Sequence, residues 1–320
     1  MTRRYDVAVM HDYYVDRLIH LDSFEGLAST VSAKKAAGGG GIHGTSQEDV
    51  RGGNAVNLAH ALARLGLRTL LITHSDAPHE PLLRGAFEGL DAELRVKPIP
   101  AALTVAFEEK VNVMLGDEKG ASEFGPGLLD ESDWEALKGS RVVCSVNWAA
   151  NRQGTKLLTA LRRRMGREKT IFLDPADFRD NVHGFAAVLR LIAQNHVIDW
   201  LSMNEPEAAS AAELLGLKGG PLEEICLEVA RSLGVVFDLH GTAMSFSSEG
   251  TRVARAATRP VKTRRLTGAG DVWDAGAICG RLMGMDEGQR LRFANATARL
   301  YLKSRDHLPP TLKQVRKETD

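Results

Sequence analysis

The sequence predicts a doubly wound α/β fold: a mostly parallel sheet with helices on both faces, plus a small β lid. Three observations carry this. Tyr5 to Met10, Arg68 to Ile72, Val142 to Val146, Thr170 to Leu173, Asp199 to Ser202 and Val235 to Leu239 are short runs, apolar or nearly so on both faces. A parallel sheet covered on both sides demands such strands. Helical patterns alternate with them, at Asn54 to Leu65, Pro81 to Leu90, Arg152 to Met165, Val182 to Ala193, Glu205 to Leu215 and Leu222 to Leu233. Repeated β-α alternation implies right-handed crossovers within one sheet. Finally, two stretches break the rhythm. Val105 to Leu115 and Arg17 to Leu21 read as strand without helix, and beside the latter lies the glycine-rich run Ala33 to Gly44. These read as a lid with a mobile loop, spanning approximately residues 17–50 and 103–125 of a single 320-residue domain. The last third reads as mostly helical, from Ala269 to Met283 and from Glu287 to Ser304.

Composition narrows the function classes. The 320 residues carry 41 basic and 41 acidic side chains, so no dominant basic field exists to hold a nucleic acid. The start, Met1-Thr2-Arg3-Arg4-Tyr5, lacks the apolar core of a signal peptide, and no run approaches a span of about 20 apolar residues. The expectation is a cytoplasmic protein that binds neither membrane nor nucleic acid. Cys144, Cys226 and Cys279 are widely spaced and form no CxxC, which argues against disulfides and a cysteine zinc site; all three read as buried small hydrophobes. The histidines show no HExxH spacing.

Three glycine-rich segments compete for attention. Gly39 and Gly44 have P-loop spacing, but Thr45 stands where that motif needs lysine, so a flexible loop is the better account. Arg51-Gly52-Gly53-Asn54-Ala55-Val56-Asn57 opens a helix that stops at Gly66. Its glycines let a ligand approach the backbone, and Asn54 and Asn57 offer amides to hydroxyl groups. An ordinary loop capped by Asn54 explains the same residues. Thr267-Gly268-Ala269-Gly270-Asp271 also precedes a helix, so the bare amides of Gly268, Ala269 and Gly270 can hold an anion at the helix N-terminus. Asp271 beside them would repel a phosphate unless it accepts a proton from an attacking hydroxyl. A first-turn acid favoured by the helix dipole is the plainer alternative.

Together, the Gly52 to Gly66 segment and the Thr267 to Asp271 segment resemble the two signatures of the ribokinase/PfkB carbohydrate kinase family. The resemblance covers nearly the whole chain. It implies transfer of the terminal phosphoryl of a nucleotide, with magnesium, to a hydroxyl of a sugar or sugar-containing small molecule. It makes Asp271 the catalytic base and Gly268, Ala269 and Gly270 the anion hole. It also implies that Asp16, Gly52, Gly53 and Asn57 bind the acceptor. Asn204-Glu205-Pro206-Glu207 resembles the family's NxxE element, in which Asn204 and Glu207 organise magnesium and phosphates, partly through water; the same residues form a capping box. Asn295 sits where the family lines its base pocket, and the lid suggests a homodimer as in relatives.

Departures from the family pattern matter as much. Arg265 and Leu266 stand ahead of the glycines where Asp and Thr are common, and a guanidinium cannot ligate potassium, so no potassium dependence is expected. In the donor loop Asp238-Leu239-His240-Gly241-Thr242-Ala243 both of the usual glycines have shifted or gone, and Asp238 and His240 intrude toward the nucleotide. ATP is the expected donor, with ADP as the alternative and His240 as a nucleotide neighbour. Ala176 replaces the asparagine of the family's Asp-Pro-Asn step. Arg51, Arg152, Arg264 and Arg265 flank the motifs and keep a phosphorylated sugar open as acceptor. Tyr13 and Tyr14 keep a nucleoside open. A sugar-binding regulator without turnover is the non-enzymatic alternative. A dinucleotide oxidoreductase lacks its glycine fingerprint after the first strand.

Overall fold

A computed structural model describes residues 4–109, 112–263, 267–306 and 308–319. In chain order its strands are β1 (Tyr5–Met10), β2 (Tyr14–His20), β3 (Gln47–Gly52), β4 (Thr69–His74), β5 (Ala92–Lys97), β6 (Ala102–Glu108), β7 (Asn112–Asp117), β8 (Ser140–Val146), β9 (Thr170–Asp174), β10 (Trp200–Asn204), β11 (Val236–His240), β12 (Met244–Ser248) and β13 (Val253–Ala257). Its helices are α1 (Phe24–Ala36), α2 (Asn54–Arg64), α3 (Glu80–Ala86), α4 (Glu131–Lys138), α5 (Gly154–Met165), α6 (Val182–Asn195), α7 (Glu205–Leu214), α8 (Leu222–Leu233), α9 (Ala269–Leu282), α10 (Glu287–Lys303) and α11 (Leu312–Thr319).

Nine strands form the main sheet in the order β13-β12-β11-β10-β9-β8-β1-β4-β5. The seven from β11 to β5 are parallel, and β12 and β13 extend the edge antiparallel. Side chains alternate across it: Val7 and Val9 pack with α2, α9 and α10 on one face, while Ala8 and Met10 pack with α4 to α8 on the other. Each face therefore has its own apolar layer, as the two-sided strand patterns require. The chain leaves β1 toward β4 on one side and returns to β8 on the other. The carboxyl end of β1 is thus a topological switch point, where open α/β sheets hold ligands.

The second sheet has the order β3-β2-β6-β7, with β2 and β6 parallel and both outer pairs antiparallel. After β7 the chain re-enters the body, burying Gly120, Ala121 and Ser122 in a short 3-10 turn. Helix α1 takes only the first four residues of the run expected as a loop: it extends to Ala36, N-capped by Ser23, and buries no residue. Its sequence lacks an apolar stripe, which is why periodicity misses it. β5 is an edge strand whose Arg95 and Lys97 pair with Asp133 of α4, and charged alternation of that kind hides a strand. All three cysteines are buried and unpaired. Among the described residues no helix is long and apolar enough to cross a membrane.

Candidate active site

The site begins at the switch point. Asp12, just past β1, accepts from the backbone N–H groups of Asn54 (2.8 Å) and Ala55 (2.9 Å), and so caps α2 from outside. Asn147, past β8, donates its amide to the same carboxylate at 3.0 Å. These bonds pin the start of α2 to the sheet. Gly52 ends β3 opposite Tyr14, and the carboxyl of buried Asp16 lies over it. Any side chain at Gly52 would meet that carboxyl.

The two glycine motifs meet directly. Asn54 donates to one oxygen of Asp271 at 2.9 Å, and Asn57 donates to the other at 3.0 Å. Gly268 approaches Asn57 closely: a Cβ on it would lie 3.2 Å from the Asn57 amide nitrogen, and its φ of +82° is left-handed. Glycine is the residue that meets both demands. Gly268 is the N-cap of α9, with no side chain capping the first turn. Ala269 and Gly270, in this uncapped first turn, help to line a cavity of about 590 Å³. Uncapped amides at the positive end of a helix suit a phosphate.

Asp271 is 5% exposed. Burial holds its pKa well above the ordinary carboxylate range, the charges of Asp174 and Asp12 add to this, and the Asn57 and Asn54 amides oppose it. One turn on, Asp274 is fully buried and accepts from the Ser202 hydroxyl at 2.6 Å; burial, with the charge of Asp174, holds its pKa well above the ordinary carboxylate range.

The remaining residues follow the carboxyl ends of the next strands. Asn204 ends β10 and lines the cavity, but its side chain also closes a capping box: it accepts from the Glu207 N–H at 3.0 Å and donates to a Glu207 oxygen at 2.7 Å. Glu207 is buried, which, with the charge of Asp174, raises its pKa to about 8. Asp174 is raised to about 6, again chiefly by burial. His240 ends β11 and lines the cavity beside Gly270, its ring 5.0 Å from that of Trp273. Burial lowers its pKa to about 4, so the imidazole is neutral at pH 7. Asn295 also lines the cavity, yet its oxygen accepts from Trp273 at 2.8 Å and from Ser245, and its nitrogen faces the Ala256 and Ala257 carbonyls.

Asp238 does not intrude on this cavity. It points into the core, where Arg290 grips both its oxygens at 2.5 and 2.8 Å and the Trp200 indole donates at 3.0 Å. Strand alternation sends residues 238 and 240 to one face, but Asp238 lies a full step deeper under α10. Tyr13 is buried with its hydroxyl on the His79 carbonyl, and so offers no open ring face. Arg265 and Leu266, which carry the expectation about potassium, and Arg264, which flanks the motif, lie outside the described residues. Sequence reasoning missed Asp12 and Asp274. An acid just past a buried strand, and a second acid one turn after Asp271, were the available signals.

The fold, with its small four-stranded sheet, is that of the ribokinase/PfkB carbohydrate kinases. The model of the family described as prokaryotic ketohexokinase matches residues 10–320, and the chain belongs to that family. No curated protein sequence matches it. Among solved structures it resembles the Arabidopsis thaliana ribokinase complexed with ribose and ATP, at 19% identity and a TM-score of 0.78, covering 100% of this chain and 99% of that one. The adenosine kinase of Sinorhizobium meliloti superposes with a TM-score of 0.80 at 16% identity, covering 99% and 100%. A putative ribokinase II from E. coli in complex with ATP and Mg2+ gives 0.77 at 14% identity, covering 98% of each chain. At these identities the likeness is one of fold.

Proposed function

We propose that this kinase moves the terminal phosphoryl of ATP to a hydroxyl of a ketohexose, with fructose the leading acceptor. The carrying observation is Asp271, held by two amides beside the uncapped N-terminus of α9. In this reading Asp271 takes the proton of the acceptor hydroxyl, and the amides of Gly268, Ala269 and Gly270 stabilise the charge of the migrating group. Asp16, Gly52, Gly53 and Asn57 form the acceptor side. Asn204, His240 and Asn295 wall the nucleotide cavity, Asn295 by bracing Trp273 and β13 rather than by reading a base.

The residues fit magnesium. Glu207 and Asp174 are buried oxygen donors, close enough that the charge of Asp174 raises the Glu207 pKa, and among the described residues no three ligating side chains converge. A hard dication held there would take most of its ligands from phosphates and water. When bound it would neutralise phosphate charge. Potassium independence, argued from Arg265 in the sequence, belongs to the same proposal.

An unphosphorylated acceptor is favoured over a sugar phosphate because the two described arginines that flank the motifs are engaged by the protein. Arg51 bonds Asn57 and His60, and Arg152 pairs with Glu123. Supporting a homodimer through the small sheet, its edge strand β7 exposes Val113, Met114 and Leu115. The deciding experiment is an ADP-release assay crossing fructose, other hexoses, ribose, fructose phosphates and adenosine with ATP and ADP. Fructose with ATP and magnesium should give the highest kcat/KM. Turnover confined to adenosine, or to phosphorylated sugars, would overturn the acceptor assignment.

A further inference from the structure

Arg51, one residue before the end of β3, lies across the first turns of α2. One terminal nitrogen donates to the side-chain oxygen of Asn57 at 2.8 Å, and the other sits 2.5 Å from Nδ1 of His60. A guanidinium has donors only, so each partner must turn an acceptor toward it. His60 does so as a neutral ring. It is 2% exposed, and burial, with the charges of Arg51 and Arg64, drives its pKa to about 2. The backbone of Ala86 bonds the ring as well, and Phe87 packs edge-on against it. The tautomer with a lone pair on Nδ1 is thereby fixed.

The same logic fixes Asn57. With its oxygen held by Arg51, its amide nitrogen has one direction left, toward Asp271 at 3.0 Å. A flipped amide would set oxygen against both a carboxylate and the acceptor face, while leaving a half-buried guanidinium without that acceptor.

We propose that Arg51 and His60 form a positioning pair that orients the Asn57 amide, and through it sets the ionisation and aim of Asp271. The inference rests on reading Asp271 as the base. The groups facing Asp271 explain why the orientation matters. Asp12 past β1, Asp174 at the end of β9 and Asp274 on α9 are all acidic, and among the described residues it is the amides of Asn54 and Asn57 from α2 that favour the ionised form. Losing one oriented amide leaves the acid surrounded mainly by like charge.

The test compares Arg51→Met and Arg51→Lys with the parent enzyme, recording kcat against pH, acceptor KM and melting temperature. Arg51→Met should move the acid limb of kcat up by about one pH unit, a loss of about tenfold on that limb that recovers at high pH. Acceptor KM should change far less. Arg51→Lys, which keeps a cation and donors but not the fork, should fall between the two. An unmoved limb, or a uniform loss at all pH values with a lowered melting temperature, overturns the proposal in favour of a structural role. If Arg51→Met does not fold, Arg51→Lys and His60→Asn carry the same comparison. Asp271→Asn separates the two levels: full turnover there removes the base assignment, whereas an inactive Asp271→Asn with an unmoved Arg51→Met limb removes only this inference.

Discussion

Gly52 and Asp16 compete for one volume: a Cβ on Gly52 would lie 2.1 Å from a carboxylate oxygen of Asp16. The first glycine of the motif therefore serves the acid on the neighbouring strand, with β2 and β3 paired so that Tyr14 faces Gly52. Gly52→Ala should push the carboxylate out of place and cost about 10–100-fold in acceptor kcat/KM, the worth of a hydrogen bond to a charged group. The KM for nucleotide should stay put. Steady-state kinetics with both substrates varied checks this, and an unchanged acceptor term would remove Asp16 from acceptor recognition.

Asp271→Asn keeps size and removes the base. Turnover should fall by about 10² or more, while the protein still folds and a nucleotide still raises its melting temperature. The measurement is initial rates alongside a thermal-shift titration with ATP and magnesium.

The ligand-free protein should lose stability as pH rises. The folded pKa values of Asp174 (about 6) and Glu207 (about 8) lie above ordinary unfolded carboxylate values, so the folded state binds protons more tightly. That contribution is fully present below the unfolded pKa and is lost as pH climbs through the folded values. Melting temperature without magnesium or nucleotide should therefore decline between about pH 5 and 8. Glu207→Gln should flatten the upper half of that decline. A melting temperature that rises across this window would show that these carboxyls are ionised throughout.

Much of this was legible because parallel strands buried on both faces are continuous apolar runs, and because the two glycine motifs carry unusual backbone demands. The elements that stayed hidden are those whose sequence follows another logic. β12 is rich in serine, with Ser245 bonding Asn295 and Ser247 bonding Arg290, so its polar atoms are satisfied by side chains that no local pattern reveals. Asp238 was misplaced because its partner Arg290 lies 52 residues away. Asp12 was missed because its role, accepting from the α2 amides 42 and 43 residues on, exists only once the strands are paired.

Asp238 and Arg290 are both fully buried. Removing one partner leaves an uncompensated charge, at a cost of about 3–5 kcal/mol. Arg290→Met should thus lower the melting temperature strongly, yet whatever folded protein remains should keep the nucleotide KM, since the pair does not line the cavity. A raised nucleotide KM at near-parental stability would return Asp238 to the donor site.

Ala176 closes the turn after β9 with a φ of +56°, its N–H donating to the Asp174 carboxylate at 2.8 Å. The left-handed region costs an alanine about 1–2 kcal/mol, and asparagine, which the family resemblance has at this step, tolerates it better. Asp174, bonded by this turn, lies close enough that its charge raises the pKa values of Asp271 and Asp274. Ala176→Gly releases the Cβ clash but adds freedom to the unfolded chain, so the expected net gain is about 0.5–1 kcal/mol, or a rise of a few degrees in melting temperature. Ala176→Val, branched at Cβ, should lower it by more. If neither variant moves the melting point in its stated direction, the backbone at Ala176 is not left-handed in solution, and the close approach of Asp174 to its acidic neighbours has to be held by something other than this turn.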